Sequence, residues 1–249
     1  MEFQGLTAIV TGGASGIGAS VAALLTERGA RVAILDLRPD EAADGMLSFK
    51  CDVTDDASVN AAVEDAALAL GGIDIVINNA GIGAQGTIET NDDAEWHSVF
   101  DLNVVGMVRV SRAALSYLRK SDHAAVVNMA SLAALVGLPD RALYSASKGA
   151  VLSLTLGMAA DHLREGIRVN SVSPGTADTP WIERLLSSAE DPEAERSALE
   201  ARQPIGRLVT AEEVAGAVAY LASPLAGSTT GANLTVDGGM EGLRLRPAS

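Results

Sequence analysis

The chain has 249 residues, 48% hydrophobic and 20% charged, a balance that fits one large α/β domain with a full core and excludes the disordered classes. A formal net charge of −14 argues against nucleic acid or an anionic membrane as partner, since both reward clustered Lys and Arg, and it equally disfavours docking of an acidic carrier protein. No stretch reaches membrane-spanning length, the opening residues 1–5 lack a signal-peptide pattern, and the single cysteine, Cys51, has no internal disulfide partner, so a cytoplasmic location is expected.

Apolar runs rich in β-branched residues alternate with Ala/Leu-rich segments along the chain, which predicts a parallel sheet wrapped by helices on both faces, a doubly wound α/β/α domain spanning 1–249. In chain order, a strand over 6–10 leads into a glycine-rich turn at 11–18 and a helix over 16–28. Strands at 31–36 and 47–51 follow, then a helix at 57–70, a strand at 73–78 and a long helix at 93–119. A strand at 125–130, a helix at 144–163, a strand at 168–173, a helix at 211–222 and a last strand at 233–237 complete the pattern, giving seven strands. The segment 178–202 differs, being acidic and rich in Ser, Glu and Arg, and reads either as a helical lid over a substrate or as a solvated insertion.

The turn Thr11-Gly12-Gly13-Ala14-Ser15-Gly16-Ile17-Gly18 stands between a strand and a helix, where glycines allow the backbone to approach a pyrophosphate at the helix N-terminus. Asp36, at the end of the second strand, has the spacing of the acid that binds adenosine ribose hydroxyls and repels a 2′-phosphate, so NAD is expected over NADP, with Arg38 tempering that preference. Tyr144 and Lys148 stand at i and i+4, on one helix face, where an ammonium can acidify a phenol.

These motifs together resemble those of the short-chain dehydrogenase/reductase family, of the single-domain type, over essentially the whole chain. The turn at 11–18 is similar to the family's TGxxxGxG, Asn78-Asn79-Ala80-Gly81 to its NNAG, Tyr144 to Lys148 to its YxxxK, and Pro174-Gly175 to its turn after the sixth strand. The resemblance implies a Rossmann-type seven-stranded sheet, NAD(P) binding without a metal, and a homotetramer or dimer. It implies catalytic roles for four residues: Tyr144 shuttles a proton, Lys148 lowers its pKa and holds the nicotinamide ribose, Ser131 bonds the substrate oxygen, and Asn103 holds a water leading to solvent. The implied cofactor contacts are Gly12, Ser15, Gly16, Ile17 and Gly18 in the turn, Asp36 and Leu37 after the second strand, and Asp52 and Val53 at the adenine. Asn79, Ala80, Gly81, Tyr144, Lys148, Pro174, Gly175, Thr176 and Thr179 extend them toward the nicotinamide. Asp52 is open to a second reading, as a cap for the helix that follows Thr54.

For the substrate, the segments 174–180 and 202–207 are similar to those of members acting on small hydroxy acids and ketodeoxy sugar acids. Arg141 lies three residues before Tyr144, where similar carboxylate-handling members also carry arginine, and with Arg184 and Arg202 it would hold a carboxylate by paired hydrogen bonds. Arg184 and Arg202 have an alternative as surface partners of Glu183, Glu190, Glu195 or Glu200. The expected activity is NAD-dependent oxidation of a secondary alcohol on a small carboxylated molecule; the competing readings are a 3-oxoacyl-[acyl-carrier-protein] reductase and a non-catalytic dinucleotide-binding regulator. His97, His123 and His162 are scattered without metal-ligand spacing, and no metal is expected.

Overall fold

The computed structural model describes residues 1–187 and 191–246, apart from the side chains of Trp181, Arg184 and Leu185. Its strands, in chain order, are β1 (Thr7–Thr11), β2 (Arg31–Asp36), β3 (Leu47–Lys50), β4 (Ile75–Asn78), β5 (Ala125–Met129), β6 (Arg168–Pro174), β7 (Ala177–Asp178), β8 (Val209–Thr210) and β9 (Asn233–Val236). Seven of them form one sheet in the order β3-β2-β1-β4-β5-β6-β9, all pairs parallel, while β7 and β8 pair with each other. The order reverses between β1 and β4, so their carboxyl ends diverge and leave a crevice where open α/β sheets bind ligands.

The helices are α1 (Gly16–Glu27), α2 (Asp56–Leu70), α3 (Asp93–Phe100), α4 (Gly106–Leu118), α5 (Ala142–His162), α6 (Pro180–Ser187), α7 (Pro192–Ala201) and α8 (Ala211–Ala222). Alternate residues of each central strand enter opposite cores, as the period of two requires. Ala8 and Val10 of β1 pack with Val21 and Leu25 of α1 and Val214 and Val218 of α8, whereas Ile9 packs with Val59 and Val63 of α2 and Val110 of α4. Both faces of the sheet are thus dry, which is why its strands read as continuous apolar runs rather than as alternating ones.

The long helix expected over 93–119 is interrupted. Residues 101–105 form a π-helical turn between α3 and α4, and the widened turn carries Asn103 inward to complete burial. A buried polar line then fixes α4 and α5 to the sheet. Asn78 of β4 donates to Ser111 of α4 (3.0 Å) and to Asn128 of β5 (2.8 Å), and Asn128 donates to Thr155 of α5 (3.0 Å). The helices that carry Asn103, Tyr144 and Lys148 are therefore registered against the strand ends by hydrogen bonds as well as by packing.

The segment 178–202 begins in the small β7–β8 sheet and builds α6 and α7, whose Ile182, Leu186 and Leu199 cluster with Leu208, separate from both main cores. Arg196 ties α7 to β7 through Asp178 (2.6 Å) and also pairs with Glu200 (3.1 Å).

Candidate active site

The glycine turn is closed from both sides of the switch point. Thr11 Oγ1 accepts from the Asn79 and Ala80 amides, each at 3.0 Å, and Asn79 Nδ2 donates to the Thr11 and Gly12 carbonyls, each at 3.0 Å. Gly18 lies beneath this knot, where a Cβ would stand 2.2 Å from the Gly12 carbonyl oxygen. Only glycine allows the first turn of α1 to approach so closely. A Cβ at Gly16, whose φ is +55°, would meet the Thr179 methyl at 3.7 Å, so Thr179 at the start of the 178–202 segment faces the glycine turn.

Asp36 joins the same loop: its carboxylate accepts from the Ala14 amide (3.1 Å) and the Arg38 amide (3.0 Å). The Arg38 guanidinium turns to Glu41 instead, at 2.8 Å. Asp52 makes a local turn, its Oδ1 accepting from the Thr54 amide (2.9 Å) and hydroxyl (2.6 Å), and these bonds hold its carboxyl below the usual range. The helix cap that Asp52 offered as an alternative belongs to Asp55, which accepts from Ala57 at the start of α2. Burial, reinforced by Asp52 and Asp36, pushes the Cys51 thiol up to about 12, which makes it an inert small hydrophobe.

At the other end stand the groups on α5. Ser131 begins a 3-10 turn and its hydroxyl oxygen accepts from the Ala133 amide (3.2 Å), which leaves its proton to donate. Burial raises the Tyr144 phenol, opposed by the Ser131 hydroxyl and the Arg141 guanidinium. Lys148 is 3% exposed; its ammonium donates to the Met129 carbonyl at 2.9 Å, and burial lowers its pKa to about 8. Lys148 faces the Tyr144 ring, 5.9 Å from its centre. Asn103 lies behind this pair. Its side-chain nitrogen donates to the Ile82 carbonyl (2.9 Å) and Ser147 Oγ (3.1 Å), and its oxygen accepts from the Ile82 amide (2.8 Å). Both amide hydrogens are therefore spent on protein atoms, and Asn103 braces the strand-end loop against α5.

One cleft of about 720 Å³ joins these regions, running from Asp36, Leu37, Asp52 and Val53 past Gly12, Ser15, Gly16 and Ile17 to Ser131, Tyr144 and Lys148. Asn79, Ala80 and Gly81 form its floor, and Pro174, Gly175, Thr176 and Thr179 one wall. Arg141 and Arg202 line the end beyond Tyr144. Gly18 and Asn103 do not line the cleft and act from beneath it; the side chain of Arg184 lies outside the described residues, as does Glu190. Unanticipated by the sequence are the two groups that shape the walls: Gln203, 1% exposed, donates to the Thr176 and Arg207 carbonyls, and Gln85 lies against Arg141. Among the described residues no group of His, Cys, Asp and Glu could hold a metal ion, and no helix is long and apolar enough to cross a membrane.

A long cleft over a crowded glycine turn, of a volume that suits a large ligand, with a phenol, a hydroxyl and an ammonium at one end, suits hydride transfer with a nicotinamide dinucleotide. That defines the class, a dinucleotide-dependent oxidoreductase, and similarity narrows it. A family model described as enoyl-(acyl carrier protein) reductase matches residues 12–241. The chain is 40% identical over 242 residues to 2-(S)-hydroxypropyl-CoM dehydrogenase 3 of Xanthobacter autotrophicus, covering 93% of this chain and 94% of that protein. It is 40% identical over 247 residues to cis-4-hydroxycyclohexanecarboxylate dehydrogenase of Sinomonas cyclohexanicum, covering 95% and 97%. The solved aldohexose dehydrogenase of Thermoplasma acidophilum superposes with a TM-score of 0.92 at 32% identity, covering 99% of this chain and 97% of that one. The chain belongs to the short-chain dehydrogenase/reductase family, and it is an enzyme that acts on CH–OH groups of small substrates.

Proposed function

We propose that the enzyme oxidises the secondary alcohol of a small carboxylated molecule, a hydroxy acid or sugar acid, with NAD as hydride acceptor. The observation that carries this reading is the pair Arg141 and Arg202: both line the Tyr144 end of the cleft, and neither forms an ion pair with any acid among the described residues. Two like charges at one end of a cleft favour an anion between them. Arg202 is exposed on the rim and pairs with neither Glu195 nor Glu200, the latter being taken by Arg196. A carboxylate named in the substrate of the Sinomonas relative supports the same class.

In this reading Tyr144 accepts the alcohol proton through its phenolic oxygen, and NAD, held along the cleft, would supply the hydride acceptor that turns the carbinol into a ketone. Ser131, whose hydroxyl lies against Tyr144, would turn its proton to the substrate oxygen and fix its position. Lys148 holds the nicotinamide ribose and supplies positive charge beside the Tyr144 ring. Asn103 keeps the 82 loop and α5 in register so that these groups converge. Asp36 would accept from the adenosine ribose hydroxyls, and the Arg38 guanidinium is turned to Glu41 rather than toward it. The cell compartment is the cytoplasm, and the assembly is a homo-oligomer. Segment 178–202 serves as the lid, with Arg184 of α6 as a third substrate contact.

The test is a dehydrogenase screen with NAD and NADP over hydroxy acids, sugar acids, sugars and neutral alcohols. The expected result is the highest kcat/KM with NAD and an acid. Preference for NADPH with a 3-oxoacyl thioester would establish the acyl-carrier reductase reading in its place, and cofactor binding without turnover of any alcohol would establish the regulator.

A further inference from the structure

Arg141 occupies the N-cap position of α5, and among the described residues its guanidinium bonds only to uncharged groups. Its Nη1 donates to the main-chain carbonyls of Ala84 (3.4 Å) and Asp140 (3.3 Å). Gln85 lies across the same fork. With its amide oxygen turned inward it accepts from Nη1 and Nη2, each at 3.2 Å, and the opposite setting would press an NH2 group against guanidinium hydrogens.

The loop that presents Gln85 is held firmly. Asn91 Nδ2 donates to the Gln85 main-chain carbonyl (2.8 Å) and to Glu95 (2.9 Å), and the Gly86 amide donates to the Asp140 carbonyl (3.0 Å) across a β-bridge between Gly86 and Arg141. Gly86 has φ +128°, and a Cβ there would stand 2.6 Å from Thr90 Oγ1. Asp140 has φ +54°, unlike the other non-glycine residues described. A bridge, a crowded glycine and a left-handed aspartate all serve to bring one glutamine and two carbonyls to one arginine.

A carbonyl acceptor can hold a guanidinium in place by hydrogen bonds, but only a carboxylate also cancels its charge. Asp140 and Glu195 attract Arg141 from a distance and Arg202 repels it, while burial disfavours its charge most. We propose that Gln85 is a specificity-determining positioning residue, which fixes the Arg141 fork while leaving its charge free for the anionic group of the substrate. This rests on the anionic-substrate reading above. A glutamate at this position would give Arg141 an internal counter-ion, and the substrate anion would then compete with it.

The experiment compares wild type, Gln85→Glu, Gln85→Met and Arg141→Ala in NAD-linked oxidation of cis-4-hydroxycyclohexanecarboxylate and of cyclohexanol. The readout is the ratio of kcat/KM for the acid to that for the alcohol, with melting temperatures to confirm folding, since Gln85 is exposed. The expected ratio falls about ten- to a hundredfold in Arg141→Ala and Gln85→Glu, the range for a lost charge-assisted bond, and several-fold in Gln85→Met. An unchanged ratio in Gln85→Glu, beside a fallen one in Arg141→Ala, overturns the role of Gln85 alone. A wild type that turns over the acid no better than the alcohol, or an Arg141→Ala variant with the wild-type ratio, overturns the anionic-substrate reading and the inference with it.

Discussion

Lys148 Nζ stands over the Tyr144 ring, 5.9 Å from its centre, while donating to the Met129 carbonyl at 2.9 Å. An i and i+4 pair on one helix face does bring the two side chains together, as the spacing predicts. What sets the phenol in this geometry is burial, which raises it, against the Ser131 hydroxyl and the Arg141 cation, which lower it.

Tyr144→Phe removes the proton acceptor and keeps the ring that packs against the cluster of Ala84, Val99 and Leu143. Turnover is expected to fall by about 10²–10⁴, the usual worth of a positioned acid or base, with NADH affinity nearly unchanged. Stopped-flow hydride transfer and a fluorescence titration of NADH separate the two effects; retained turnover would remove Tyr144 from the mechanism.

Asp36→Asn keeps an oxygen to accept from the Ala14 amide and removes the negative charge. The preference for NAD over NADP is expected to shrink about tenfold or more, mostly through a lower KM for NADP, because the 2′-phosphate is no longer repelled. Measuring kcat/KM with both cofactors checks this, and an unaltered ratio would assign the discrimination to another group.

Gly18→Ala would drive a methyl to within 2.2 Å of the Gly12 oxygen and 2.5 Å of Asn79 Nδ2. The turn and its Asn79 staple must then separate, at a cost of about 1–3 kcal/mol, and NAD binding should be lost first. Gly216→Ala in α8 meets nothing within 4 Å and should stabilise by roughly 0.5–1 kcal/mol. Denaturant unfolding of both variants, with calorimetric NAD titration of Gly18→Ala, tests the contrast.

What the sequence made legible follows from which forces are local. The strands and the glycine turn were readable because strand composition, turn chemistry and the roughly 20-residue spacing to Asp36 are properties of short segments. The break in the helix at residues 101–105 was not, because its cause is a partner far away in sequence: Asn103 turns inward to bond Ile82 and Ser147, and helix propensity carries no sign of either. Asp52 and Asp55 show the same limit at shorter range, since two aspartates near one helix start are equivalent until the backbone chooses between them. Arg141 was visible by its offset from Tyr144, yet the neutral cradle of Gln85, Ala84 and Asp140 depends on a β-bridge between distant segments.

Lys148→Met tests a conflict between function and stability at one side chain. The ammonium is almost fully buried, its pKa is depressed to about 8 from 10.5, and a carbonyl rather than a carboxylate is its partner. Below pH 8 the lysine is charged both folded and unfolded, and the folded state bears the full cost of burying it, on the order of 3 kcal/mol. Between pH 8 and 10.5 the unfolded chain binds more protons than the folded one, so this contribution makes stability rise with pH and the cost disappears by the upper limit. Methionine fills similar space without a charge, so Lys148→Met is expected to melt several degrees above wild type at pH 7, with the gap closing as pH approaches 10.5. Its turnover should nonetheless fall by two orders of magnitude or more, about 3 kcal/mol of transition-state stabilisation. Differential scanning calorimetry of the two proteins from pH 7 to 10.5 reads the first effect and steady-state kinetics the second; a variant less stable than wild type at pH 7 would show that the bond to Met129 outweighs the burial of the charge.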